Sequence, residues 1–322
     1  MISCTEFIPL YSEFFKYLEK KGGPDAVMEY WYYISDNSIG DKTNPNSLAS
    51  FIERAETPFE GAINYWNHTL TEEACDQYKI IDKNNHLCYG HMRHCPSRGM
   101  LNALEHIEPY HNYCKHCDII YQRVLDKYGI VHEMDFSRIS NAECNSLIYE
   151  KGKRPDVDIT KTEDVPVDDT MTVIDMKAED NKYLHRDFHL LGDLALKYCG
   201  ETFGDKAVIE FLTDYTLNYY SPQIKDIKKR GLIAIKEWIE KIYEVEEASE
   251  LLHTELTDTS LTVNIDKSPV IEFMRSLNQK PSKYYVEETR TMYRVIAEAC
   301  NLHFFLVYYN EDGTASFKFC VK

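Results

Sequence analysis

The chain has little that would tie it to a membrane. No apolar run approaches the roughly 18 residues needed to span a bilayer. The longest, Phe304 to Tyr309, is strand-sized. The first residues (Met1, Ile2, Ser3, Cys4, Thr5, Glu6) carry no basic region and no signal-peptide core. Basic charge is also scarce: 36 Lys and Arg stand against 53 Asp and Glu, a net charge of -17. Such a chain repels nucleic acid and anionic lipid. Its densest basic stretch, Lys225 to Arg230, sits among acidic neighbours and reads as a solvated helix face. There is no G-x-G-x-x-G, no phosphate loop, no G-x-S-x-G and no H-E-x-x-H. These absences lead us to expect a cytoplasmic protein with no membrane and no nucleic-acid partner.

What is present describes two globular domains. The length of 322 residues suits two ordinary domains, and 43% apolar with 28% charged residues is a globular composition. An internal repeat supports the count. Lys16-Tyr17 and Gly23-x-x-Ala26-Val27-x-Glu29 match Lys197-Tyr198 and Gly204-x-x-Ala207-Val208-x-Glu210 at one offset. Pro109, Tyr113 and Tyr121 match Pro281, Tyr285 and Tyr293 at a nearby one. Two matches in the same order indicate tandem duplication. The expected organisation is a first copy over 1–151, a linker over 152–180 and a second copy over 181–322. The linker is charged and carries Pro155 and Pro166.

Each copy reads as α+β. Helices come first, on stripes such as Phe7, Leu10, Phe14, Phe15 and Leu18. Alternation then predicts strands at Leu87 to Met92 and Leu261 to Ile265. A short helix (96–106, 269–277), a longer one (113–128, 286–300) and two closing strands follow (130–136 with 144–149; 302–309 with 314–321). Asn310-Glu311-Asp312-Gly313 is hairpin chemistry. The expectation is helices packed on a small antiparallel sheet in each copy.

Ten cysteines with no secretion signal do not read as a disulfide framework. Cys88 aligns with Leu261 and reads as a small buried hydrophobe. Cys95, Cys114, Cys117 and Cys144 align with Ser268, Val286, Thr289 and Ala315, so the fold does not require them. Cys114-Lys115-His116-Cys117 is a C-x2-C pair that lets two thiolates reach one ion. Cys95-Pro96 opens a helix, where a thiol is favoured as thiolate. The four suit zinc, with an iron–sulfur cluster as the competing occupant. Separate buried or redox-active thiols, or Cys88 in place of Cys144, are the other arrangements. His106 and His111 stand near enough in sequence to replace one cysteine.

A second constellation lies in the second copy. His185-Arg186-Asp187-Phe188-His189 is expected to place two imidazoles at i and i+4 on one helix face, a metal- or substrate-binding geometry. Their plain alternative is a pair of ordinary surface or core histidines. Tyr219 and Tyr220 end a helix and could line a nearby cavity, which makes His185, His189 and Tyr219 the candidate catalytic set.

The layout of each copy, with Cys95-Pro96, Tyr113-Cys114-x-x-Cys117 and a final hairpin carrying Cys144, resembles the L-2-amino-thiazoline-4-carboxylic acid hydrolase-like family and the related 4-vinyl reductase-like ligand-binding domains. His185 to His189 and Gly204-x-x-Ala207-Val208 look like stretches recurring in two-copy bacterial proteins of that kind. The resemblance covers most of the chain loosely. It implies a small-molecule pocket between helices and sheet. In the sensor branch it implies a zinc held by cysteines from a helix and from the final hairpin, which carries over onto Cys117 and Cys144; Cys95 and Cys114 match less well. Two function classes result. One is a metal-dependent enzyme, hydrolase-like, on a small sulfur- or nitrogen-containing substrate, with His185 and His189 at its centre. The other is a small-molecule-binding or sensory module with a structural zinc. Either leaves room for a homo-oligomer.

Overall fold

The computed structural model describes residues 2–322. The chain is α+β and divides into two compact units. Leu18–His185 form what we call the cysteine unit. The residues up to Tyr17, with Arg186–Lys322, form the C-terminal unit. No described helix is long and apolar enough to cross a membrane.

Helix α1 (Phe7–Ile34) is interrupted at Gly22 and Gly23. Gly23 has φ +73°, a left-handed value that glycine adopts freely, and Pro24 then starts the helix again. Its beginning is core to the C-terminal unit. Phe7 stacks on Phe188 with centroids 4.6 Å apart, and Phe14 meets Phe211 edge-on at 4.9 Å. The Tyr17 hydroxyl donates to the Ala207 carbonyl at 3.2 Å. Beyond Tyr17, α1 buries Tyr30, Trp31 and Ile34 in the cysteine unit.

The cysteine unit continues through α2 (Leu48–Arg54), α3 (Pro58–Glu72), β1 (Asp76–Asp82), β2 (Leu87–His94), α4 (Pro96–Ala103), α5 (Lys115–Leu125), β3 (Ile130–Asp135), β4 (Cys144–Glu150) and β5 (Thr172–Met176). The sheet is antiparallel, in the order β3-β4-β2-β1-β5. One face buries Ile80, Tyr89, Leu147 and Tyr149 beneath Val157, Ile159, Val165 and Met171. On the other face Trp66 and Tyr121 pack around the His132 ring, at 4.7 and 6.3 Å.

The C-terminal unit adds α6 (Asp187–Phe203), α7 (Asp205–Tyr219), α8 (Ser221–Arg230), α9 (Leu232–Val245), β6 (Leu252–Leu256), β7 (Ser260–Ile265), α10 (Pro269–Ser276), α11 (Glu287–Ala299), β8 (Leu302–Tyr309) and β9 (Ala315–Val321). Its sheet order is β6-β7-β9-β8. Strand, strand, helix, helix, strand, strand thus occurs in both units, with the third and fourth strands paired alike. Cys95 caps α4 and Ser268 caps α10, each followed by proline. Tyr293, Phe304, Phe317 and Phe319 fill the space between α11 and its sheet.

The units depart from the boundaries expected at 151 and 181. The stretch up to Tyr17 belongs with the C-terminal unit, because its aromatic side chains find their partners on α6 and α7. The supposed linker is structural as well. Its apolar residues cover a sheet face, and its Thr172–Met176 segment adds an edge strand to β1.

Gly313 closes the β8–β9 hairpin at φ +81°, and a Cβ there would stand 2.2 Å from the Ser268 Cβ. Gly313→Ala should cost about 2 kcal/mol, from the positive φ and the clash together. Chemical denaturation measures the loss, and an unchanged midpoint would mean that another turn closes the hairpin.

Candidate cysteine site and acid cluster

Strand register brings the cysteines to one end of their sheet. Met92 on β2 lies opposite Cys144 on β4, so the exit of β2 toward Cys95 neighbours the entry of β4. The Cys95 N–H donates to the Ala142 carbonyl at 2.7 Å, which ties the two together. Helix α5 begins at the same end: Lys115 lies over the ring of Phe136, in the loop between β3 and β4. Cys114 is the N-cap of α5, and Cys117 sits in its first turn. Cys95 caps α4, with its sulfur 3.5 Å from the Arg98 N–H.

Each of the four thiols lies within electrostatic reach of the other three. Burial pushes Cys95 up to about 12 and lifts Cys114, Cys117 and Cys144 as well, with the neighbouring sulfurs adding to the rise at Cys95, Cys117 and Cys144. Arg98 opposes the rise at Cys114. The thiols are therefore protonated at neutral pH. Among the described residues no three of these sulfurs lie within 4.8 Å of one another. Rotation about χ1 is the motion available to close them, since each sulfur hangs from a single Cβ.

The neighbourhood holds groups that spacing did not reveal. The Cys75 thiol is raised by burial and by the charges of Glu73, Cys95 and Cys144. His116 is lowered to about 4 by burial, so its ring is neutral. Its Nδ1 faces the Tyr113 carbonyl, which can only accept, and so carries the proton. Nε2, 3.5 Å from the Cys117 sulfur, is then an acceptor for the thiol. Lys79 is a buried lysine whose ammonium is disfavoured by burial and donates to Asn67 at 2.8 Å. His106 and His111 are exposed, and His111 lies 3.8 Å from Glu19. Cys88 is 2% exposed and pushed up to about 11 by burial.

The expected histidine pair is not a pair on a helix face. Helix α6 starts at Asp187, so His185 precedes it and only His189 is helical. Each ring is buried against a carboxylate. His185 Nδ1 lies 2.7 Å from Glu72 in the cysteine unit. His189 Nε2 lies 3.1 Å from Glu246 in the C-terminal unit. Glu246, 1% exposed, also accepts the Cys4 N–H at 2.6 Å. Burial favours its neutral form, yet His189 and the hydrogen bonds hold its carboxyl below the usual range. Tyr219 is half-buried, stacked on Tyr215 at 5.4 Å and edge-on to Tyr220 at 4.7 Å.

The C-terminal unit instead gathers buried acids. Asp193 on α6 accepts the Ser282 N–H and hydroxyl, both at 2.7 Å, and burial lifts it to about 6. Glu288 on α11 is 3% exposed and lifted by burial to about 7; Asp193 adds to the rise and His189 opposes it. Tyr285 and Tyr309 lie within electrostatic reach of both acids. Compared with protein-family models, curated proteins and solved structures, the chain matches none.

Proposed function

We propose that the chain is a small-molecule-binding module of the sensory kind, with a zinc ion held in its cysteine unit by Cys95, Cys114, Cys117 and Cys144. The observation that carries the reading is the mutual electrostatic reach of all four thiols, supplied by two helix starts and a strand start. Four soft donors at one end of a sheet match zinc chemistry, and a metal would replace the protons these buried thiols otherwise keep. The iron–sulfur cluster is the other occupant of such a set. A cytoplasmic, reducing compartment belongs to the reading, because the thiols must stay unoxidised.

Binding is favoured over hydrolysis for a physical reason. A closed thiolate site leaves no position for a reacting water. The hydrolase reading would need His185 and His189 on one catalytic face, whereas His185 bonds Glu72 and His189 lies buried 3.1 Å from Glu246, in different units. Elemental analysis of the purified full chain tests the metal. About one zinc per chain is expected, lost in Cys117→Ser and kept in Cys88→Ala. A wild type that takes up no zinc under reducing conditions overturns the assignment, and a brown, iron-containing protein replaces zinc with a cluster.

A further inference from the structure

We infer that the C-terminal unit binds a small organic anion with an apolar body, its charge held by Arg275 and Lys280 and its body lying against Tyr285 and Tyr309. The inference deepens the binding reading above and is independent of the zinc.

A pocket of about 870 Å³ opens between the end of α10, the start of α11 and the β8–β9 hairpin. That volume suits a small-molecule ligand. Its charge is opposite to that of the chain. Around it stand Arg275, Lys280, Lys283 and Arg290, against the single carboxylate of Glu311. On a protein of net charge -17, four cations at one opening mark a local field of the other sign.

Not all of that charge is neutralised. Lys283 pairs with Asp205 at 3.1 Å, and Arg290 with Glu287 at 2.6 Å. Arg275 donates to the Glu311 carbonyl at 3.0 Å and lies within electrostatic reach of Asp312, with no ion pair of its own among the described residues. Lys280 is exposed and has no ion-pair partner among the described residues. Arginine and lysine side by side can hold a carboxylate by charge-assisted hydrogen bonds.

The inner wall supplies the second observation. Tyr285 lines the pocket and is 3% exposed, yet its hydroxyl has no hydrogen-bond partner among the described residues. A buried hydroxyl without a partner is costly, so the wall at Tyr285 carries an unmet polar group close to the pocket. Ile271, Val286 and the ring of Tyr309 add apolar surface to the lining. The pocket thus asks for an anionic head and an apolar stem.

Titration calorimetry of the full chain with sodium hexanoate tests this, with hexylamine as the probe of opposite charge. Hexanoate should bind to the wild type and hexylamine more weakly. Arg275→Glu with Lys280→Glu should weaken hexanoate by at least about tenfold, and Tyr285→Phe by less. If the double variant does not fold, Lys280→Gln alone carries the test, since that side chain is exposed. No heat with wild type at millimolar hexanoate, equal binding of hexylamine, or equal binding by the charge variants would overturn the proposal. Zinc content measured on the same samples separates this failure from failure of the metal assignment.

Discussion

Cys117→Ser should lower the melting temperature of the cysteine unit by about 10 °C, and a chelator added to the wild type should do the same. A metal bound only by the folded chain stabilises it by about 4 kcal/mol when present at a thousand times its dissociation constant. For a unit of this size each kcal/mol moves the midpoint by roughly 2–4 °C. The structural reason lies in what the cysteines join. Between α4 and α5 the chain has no regular structure, and between β3 and β4 it forms only a short 3₁₀ turn. A metal held by Cys95, Cys114, Cys117 and Cys144, as proposed, would pin both connections to the sheet. Cys88→Ala is the control. It removes a buried sulfur from β2, so it should cost only about 1 kcal/mol of packing and leave the chelator effect intact. Thermal unfolding by circular dichroism reads all three. A chelator that leaves the wild-type midpoint unchanged would remove the metal from the account of stability.

Raising the pH from 5 to 8 should weaken the C-terminal unit. Glu288 and Asp193 ordinarily titrate near 4.5 and 3.8, and burial lifts them to about 7 and 6. Between those values the folded chain holds protons that the unfolded chain has released. The stabilisation is complete below the ordinary values and is lost as pH rises through the folded ones. Each shift corresponds to roughly 3 kcal/mol. Glu246 does not contribute to this loss, because His189 keeps its carboxylate favoured. Glu288→Gln has nearly the same shape and no proton to lose. It should flatten the upper part of the profile and raise stability at pH 8 by about 2 kcal/mol. Urea midpoints from pH 5 to 8 give the slope. A profile that rises with pH, or a Gln variant with the wild-type slope, would show that the two acids are not buried as described.

Most elements were legible where the signal is local. Alternation marked Leu87 to Met92 and Leu261 to Ile265, and the strands run Leu87–His94 and Ser260–Ile265. Helix starts were legible from Cys95-Pro96 and Ser268-Pro269. The four cysteines stood out in sequence because the expected second copy has Ser268, Val286, Thr289 and Ala315 in their places. What failed needed tertiary information. Strand β5 is short and mostly exposed, so its apolar pattern is faint within a charged stretch. Whether His185 lies inside α6 depends on where that helix is capped, and two residues moved it outside. Buried Lys79 and Cys75 carry no pattern of their own. Glu288 did: Met292, Val295 and Ile296 follow at helical spacing and are buried, so the glutamate stood on an apolar stripe. A charge on such a stripe was the available sign of a buried acid.

The allegiance of the first helix has a consequence for how the molecule is made. Phe7, Phe14 and Tyr17 are made before their partners on α6 and α7, with the whole of Leu18–His185 synthesised in between. In the interval Leu18–His185 can close on itself, while an aromatic segment waits without a surface to cover it. Contacts this distant along the chain are slow to form, and exposed apolar segments are the ones that aggregate or recruit chaperones. Synthesis therefore runs against the grain of this architecture: one unit is continuous and can fold as it emerges, whereas the other cannot be completed until the segments on both sides of the continuous one exist.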